Sequence, residues 1–281
     1  MIAILGTGLL GSGFARAACR RGEAVQVWNR TSAKAEALAE EGAIVFEDPA
    51  DAARDVTRVH VVLSDDAAVD AVLEDAELMA PATVYDHTTT STEGALVRTA
   101  RWAAHGIKYL HAPVFMGPQN ALESTGLMLV SGDRNVVEAA KPVLAPMTGK
   151  VVDLGTRVDA AAAFKLLGNT LLMAITAGFT DMLALAKAVG VAPAEVAKLF
   201  EHFNPGVTLA ARFQRMLEAA HGQPSWELAM ARKDARLMLE EAGRSEFALA
   251  ILPAIAARMD ALIAAGEGHA DWTVLAREFL G

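Results

Sequence analysis

A four-residue apolar run, Ile2–Leu5, ends directly in Gly6-Thr7-Gly8-Leu9-Leu10-Gly11, and a helical pattern from Leu9 to Arg21 begins inside that glycine segment. No other feature limits the possible folds of this chain as much. A strand that turns through spaced glycines into a helix is the opening of a crossover unit. The first glycine lets the backbone turn, the second lets it approach a pyrophosphate, and the third lets helix and strand pack closely. Phosphates at such a turn meet free N–H groups and the partial positive charge of the helix N-terminus. A lone glycine cluster of this kind is weak evidence, but here both flanks are correct. Gly6, Thr7, Gly8, Leu9, Leu10 and Gly11 therefore point to a bound dinucleotide.

The rest of the N-terminal half repeats the alternation. Val25 to Trp28, Val59 to Leu63, Thr83 to Tyr85 and Ile107 to Leu110 read as buried strands, with Leu127 to Ser131 and Val151 to Leu154 as two more. Helical patterns cover Ser32 to Glu41, Asp66 to Leu73, Thr92 to His105 and a segment starting near Arg134, with Ser32 and Ser91 as candidate caps. Alternation of this kind requires a mostly parallel sheet with helices on both faces. After Gly155 the strand signal stops. A long helix from Ala160 to Val189, closed by Gly190, precedes helical patterns at Pro193 to Phe203, Val207 to Ala220, Glu227 to Ala242, Leu249 to Ala265 and Trp272 to Phe279. The expected class is α/β: an N-terminal Rossmann-type doubly wound sheet (1–156) plus a C-terminal all-α domain (157–281) built on a long interdomain helix.

Composition narrows the functions. A chain of 281 residues lies near the size at which one core gives way to two domains. With 34 acidic against 25 basic side chains, the net charge of −9 argues against nucleic acid, whose phosphates need clustered Lys and Arg. The single cysteine, Cys19, excludes an internal disulfide and reads as a small packed residue. The seven histidines are dispersed with no metal-ligand spacing, so no metal is expected, and no G-x-S-x-G nucleophile motif occurs. The most apolar stretch, Leu166 to Thr180, is shorter than the ~20 residues that cross a bilayer. A strand starting at Ile2 leaves no room for a secretory signal, and a cytoplasmic location is expected.

Two further clusters carry chemistry. After the second strand comes Asn29-Arg30-Thr31, where an NAD site usually has a carboxylate for the ribose 2′-hydroxyl. An amide, a guanidinium and a hydroxyl suit a 2′-phosphate instead, so NADP(H) is the expected cofactor. Within the long helix, Lys165 and Asn169 stand four apart among Phe164, Leu166, Leu167, Leu171, Leu172 and Met173, and so share one face. A desolvated lysine has a lowered pKa and can give or take a proton while the amide holds the reacting oxygen. A lysine snorkelling to the surface at the helix start fits the same pattern.

These segments resemble the beta-hydroxyacid dehydrogenase family, which includes 3-hydroxyisobutyrate dehydrogenases, tartronate semialdehyde reductases and glyoxylate reductases. The resemblance spans the chain and rests on the Gly6–Gly11 loop, Asp86-His87-Thr88-Thr89, Ala112-Pro113-Val114 with Gly117, Lys165-Leu166-Leu167-Gly168-Asn169, and Lys233-Asp234. It implies that Lys165 is the general acid/base and that Asn169 positions the substrate. It also implies that Leu63 and Ser64 belong to a loop beneath the cofactor, that Thr89 lies near the nicotinamide, and that Lys233 approaches the cofactor from the helical half. The same resemblance implies a small carbonyl or alcohol substrate and a homodimer or homotetramer formed through the long helix.

One segment departs from the pattern. Relatives usually carry Ser-Gly-Gly after Pro-Val, a polar loop for a substrate carboxylate, whereas this chain has Phe115-Met116-Gly117 and then Pro118-Gln119-Asn120. Phe115, Met116, Gly117 and Thr89 are therefore the expected substrate pocket, and a larger, less polar carbonyl compound fits it as well as a hydroxy acid. The glycines usual before the lysine are replaced by Asp159 and alanines. Imine reductases form a sister group with bulkier apolar pockets, although they commonly replace the lysine. An imine reductase-like enzyme and a catalytically silent NADP-binding scaffold are the alternatives. His87 and His111 lie near the expected site without an assigned role.

Overall fold

The computed structural model describes residues 1–218 and 221–280, and its contacts divide the chain into two compact units, Met1–Asn169 and Thr170–Gly281. The division falls inside the long helix, whereas the change of residue pattern falls near Gly155.

The first unit contains β1 (Ile2–Leu5), α1 (Leu9–Arg20), β2 (Val25–Trp28), α2 (Ser32–Glu36), β3 (Ile44–Phe46), α3 (Pro49–Ala53), β4 (Arg58–Val61), α4 (Asp66–Asp75), β5 (Thr83–Asp86) and α5 (Thr92–Ala104). It continues with β6 (Lys108–His111), β7 (Val114–Phe115), α6 (Pro118–Glu123), β8 (Leu127–Val130), α7 (Arg134–Leu144), β9 (Lys150–Asp153) and the first turns of α8 (Ala160–Ala188). Six parallel strands run in the order β3-β2-β1-β4-β5-β6, so the order in which strands are added reverses between β1 and β4. Ligands in such sheets bind outside the strand C-termini at that reversal. Alternate residues of β1 serve opposite cores: Ile2 and Ile4 pack with Phe14, Ala18 and Leu38, while Ala3 and Leu5 pack with Val69, Leu73 and Trp102. This is the period-two burial of a strand covered on both faces. A second sheet, β7-β8-β9, joins an antiparallel pair to a parallel one.

The second unit holds the rest of α8, then α9 (Pro193–Lys198), α10 (Leu209–Leu217), α11 (Leu228–Arg244), α12 (Leu252–Ala264) and a closing 3₁₀ segment, Trp272–Phe279. Its core gathers Leu228, Ala231, Ala235, Ala256, Met259 and Val274. Asp181 of α8 anchors α12, its carboxylate accepting the backbone N–H groups of Ala250, Ile251 and Leu252.

Several local expectations shift. Ser32 is the first residue of its helix and not its cap; Thr31 holds the N-cap position without a side-chain hydrogen bond, and the helix stops at Glu36 before a 3₁₀ turn at Ala39–Glu41. Ser91 does cap α5, accepting from the Gly94 N–H at 2.9 Å. The short strands β3 and β7 and the short helices α3 and α6 add to the pattern read from the sequence. The segment Trp272–Phe279 is wound as 3₁₀ rather than α. Residues 219 and 220, which end the helix expected from Val207, lie outside the described residues. The long helix, at 29 residues, is by length and composition apolar enough to cross a bilayer, which corrects the estimate made from Leu166–Thr180 alone.

Candidate functional site

The glycine loop meets its requirements one residue at a time. Gly6 has φ +101°, and a Cβ there would lie 2.2 Å from the Val62 carbonyl oxygen. At Gly11 a Cβ would sit 1.9 Å from the Gly6 oxygen, so the helix start can press against the turn only without a side chain. Gly8 is different: a Cβ there would meet nothing within 4 Å. The protein itself does not need a glycine at that point, which suits backbone kept bare for an approaching ligand. Thr7 beside it is 2% exposed, and its hydroxyl has no partner. An open cradle with an orphaned hydroxyl at a helix N-terminus fits a dinucleotide diphosphate. Leu9 is exposed and Leu10 half-buried against the core.

Asn29 faces inward to this loop. Its Oδ1 accepts the Thr7 N–H at 2.9 Å and its amide nitrogen donates to the Thr31 carbonyl at 3.0 Å. It ties the end of β2 to the glycine turn, while Arg30 and Thr31 stand exposed. Leu63 and Ser64 follow β4. The Leu63 N–H donates to Thr88 Oγ1 at 3.0 Å, and the Ser64 hydroxyl donates to Asp65. Thr88 and Thr90 are buried, and Thr89 between them is exposed.

A buried network missing from the sequence reading fixes these two loops. Asp86, fully buried at the end of β5, accepts from the Thr88 N–H through one oxygen and from the Tyr109 hydroxyl through the other, at 2.9 and 2.5 Å. Arg98 is 1% exposed; its Nε donates to the Tyr109 oxygen at 2.9 Å, and it pairs with Asp66 at 2.6 Å. Asp66 in turn accepts the Ser91 N–H at 2.9 Å. Burial, above all, pushes the Tyr109 phenol well up, so it stays a donor. The available signal was the spacing Ala95-Arg98-Trp102, which puts a guanidinium on the buried stripe of α5.

His87 and His111 belong to this interior. The His87 Nδ1–H donates to the Ala112 carbonyl at 2.8 Å, leaving Nε2 to accept from His60 Nδ1 at 3.0 Å. His111 Nε2 lies 2.9 Å from the Thr88 carbonyl oxygen and 3.1 Å from Thr90 Oγ1. Burial lowers all three imidazoles, His87 to about 4. Among the described residues no cluster could hold a metal ion.

At the start of α8 the usual order of burial is inverted. Lys165 is 9% exposed, while its neighbours Phe164 and Leu167 are 51% and 65% exposed. This decides against a snorkelling lysine. Ala160, Ala161 and Ala162 are buried, and the Ala161 N–H donates to Ser131 Oγ, so small side chains let the helix seat closely. Lys165 Nζ donates to Asn169 Oδ1 at 3.0 Å, and desolvation lowers its pKa. The ring of Phe115, from β7, lies 4.3 Å from the ammonium. Met116 packs against the first core. The Gly117 N–H is accepted by Asn120 Oδ1. Lys233, in the second unit, sits on α11 and pairs with Asp234.

Residues 1–155 match the NAD-binding domain of 6-phosphogluconate dehydrogenase, and 159–279 match the NAD-binding domain of NADP-dependent 3-hydroxyisobutyrate dehydrogenase. An uncharacterized oxidoreductase of Bacillus subtilis is 26% identical over 279 residues, 98% of each chain. Glyoxylate/succinic semialdehyde reductase 1 of Arabidopsis thaliana is 27% identical over 194 residues, 67% of each chain. In fold, the chain is similar to the imine reductase of Myxococcus stipitatus in complex with NADP+, with a TM-score of 0.91, 22% identity and 99% of both chains covered. The chain thus belongs to the beta-hydroxyacid dehydrogenase family of NAD(P)-binding oxidoreductases, and it shares its fold with imine reductases.

Proposed function

We propose that this oxidoreductase is NADP(H)-dependent and interconverts a carbonyl compound and an alcohol, with Lys165 as general acid/base. The observation that carries this reading is the buried amine of Lys165, bonded to Asn169 on a helix whose apolar neighbours are exposed. A lysine is desolvated in this way at a cost, and the lowered pKa brings proton transfer nearer to neutral pH. In reduction Lys165 Nζ protonates the nascent alkoxide; in oxidation it removes the hydroxyl proton. Asn169 holds the amine through Oδ1, and its amide nitrogen donates to the reacting oxygen. The nicotinamide, when bound, supplies or accepts the hydride.

Gly6, Gly8, Gly11 and Thr7 would hold the diphosphate. Arg30 and Thr31 would take the 2′-phosphate, with Asn29 bracing the loop beneath them. Leu63, Ser64 and Thr89 would lie along the nicotinamide end, and Lys233 would be a further cofactor ligand. Leu167, Leu171, Leu172, Met173, Phe179 and Leu183 are exposed along α8. A second copy of the chain, rather than lipid, is the proposed cover, since α8 also carries the buried Lys165 and Asp181.

The test is Lys165→Ala assayed on an aldehyde and ketone panel with NADPH. Turnover falls about 100- to 10,000-fold while NADPH affinity holds. Near-normal turnover removes the lysine from the chemistry. Imine reduction is the second reading, favoured by the Phe115 ring beside the amine; turnover of a cyclic imine above that of every aldehyde establishes it. Tight NADPH binding with no turnover on either class marks a silent scaffold.

A further inference from the structure

The ring of Phe115 stands directly beside the Lys165 amine. We propose that it makes the enzyme selective for carbonyl compounds bearing no carboxylate near the reacting carbon, an inference that rests on the Lys165 reading above.

Three observations converge. The ring lies 4.3 Å from Lys165 Nζ, closing one side of the amine. An aromatic face carries negative potential, which attracts an ammonium and repels a carboxylate. The ring is also held in place. It belongs to β7, where Phe115 pairs with Leu127, and it rests on the bare backbone of α8, where a Cβ on Gly168 would stand 2.2 Å from its Cζ. Lastly, the polar groups beside it are already engaged. The Gly117 N–H donates to Asn120 Oδ1 at 2.9 Å, Asn120 Nδ2 to Thr125 Oγ1 at 2.9 Å, and Gln119 Nε2 to Glu123 at 2.5 Å. Met116 adds only a thioether.

A carboxylate brought against the ring would lose its water and meet an aromatic face, the Lys165 and Asn169 donors beside it being taken by the reacting oxygen, whereas an alkyl group of the same shape has no such hydration to lose. The pocket therefore sorts substrates by the charge of a substituent within a few bonds of the carbonyl.

The experiment compares kcat/KM for two shape-matched pairs with NADPH: glyoxylate against 2-methylpropanal, and succinic semialdehyde against 4-methylpentanal. The unmodified enzyme favours the uncharged member of each pair at least tenfold. Phe115→Ser moves both ratios at least tenfold toward the acid. Phe115→Leu, which keeps the bulk and offers no donor, still favours the uncharged member of each pair, and a reversal toward the acid in that variant also overturns the proposal. A preference for the acids in the unmodified enzyme, or ratios untouched by Phe115→Ser, overturns the proposal. If no form turns over any aldehyde, binding of 2-methylpropanol and glycolate to the NADP+-saturated protein is read by ligand-observed NMR. Selective binding of the alcohol, with glycolate binding gained in Phe115→Ser, sustains the selectivity and dismisses hydride transfer. Identical binding by both forms overturns the selectivity.

Discussion

The sheet of the first unit and the long helix α8 treat their side chains in opposite ways. In the sheet, strands β1 and β2 are buried throughout, and even the charged interior is satisfied: Asp86, Tyr109, Arg98 and Asp66 form one chain of hydrogen bonds. On α8 the apolar residues face outward while a lysine is buried. The charged groups of the sheet are paired within the chain, although Gln26 Oε1, His60 Nε2 and His111 Nδ1 are buried there without a partner, whereas α8 leaves large apolar side chains exposed. Function is therefore expected where satisfaction stops: at the orphaned Thr7 hydroxyl, at exposed Thr89, and around Lys165.

Changes on α8 should have the largest effect on assembly and the least on the fold of the sheet. Leu172→Asp is expected to convert a dimer to a monomer in sedimentation equilibrium while the first unit stays folded. A chain that is monomeric before the change breaks the contrast. The next effect belongs to the sheet. Arg98→Met leaves the Tyr109–Asp86 pair without its cation and should destabilise by about 3 kcal/mol, read from denaturant unfolding. Loss of under about 1 kcal/mol would show that the network is not tightly coupled.

The buried histidines give a pH test of similar size. Their pKa values are lowered by burial, His87 to about 4, against about 6.5 in the unfolded chain. Between those values the unfolded chain binds more protons, so stability is full above about pH 6.5 and falls as the pH drops toward 4. His87 alone accounts for roughly 3 kcal/mol over that window. Asp86 beside His87 and Arg58 beside His60 shape the limb without reversing its sign. A melting temperature flat from pH 7 to 4.5 would contradict this account.

The smallest effect concerns the cofactor. Arg30→Ala should narrow the preference for NADPH over NADH about tenfold in a binding titration, leaving NADH affinity unchanged. Equal affinities for both cofactors in the unmodified protein would remove Arg30 from that role.

Much of the sheet could be read in the sequence because its signals are local. Ile2–Leu5 and Val25–Trp28 are bounded by glycine or charge, and their register follows from burial on both faces. The strands β3 and β7, three and two residues long, carry too little pattern and exist through pairing with β2 and β8. The site was legible in residue type but not in environment. Lys165 on an apolar helix fits burial or snorkelling equally until neighbouring segments are placed. Asn29 has the spacing of a phosphate ligand, yet spacing does not reveal that its oxygen accepts the Thr7 N–H while its amide nitrogen donates to the Thr31 carbonyl. Arg98 lies on a readable stripe, but its partners come from two other segments, α4 and β6.

The contact between Phe115 and Gly168 couples two positions far apart in the chain. Gly168→Ala alone must displace the ring from its seat over Lys165, because the new Cβ would lie 2.2 Å from Cζ. With serine at 115 that obstacle is gone, and alanine within a helix is favoured over glycine by about 1 kcal/mol. The same substitution should thus harm one background and help the other, a reversal of sign that a double-mutant cycle measures directly. Any lineage or design that alters the ring at 115 gains freedom at 168, and a chain that keeps the ring must keep the glycine.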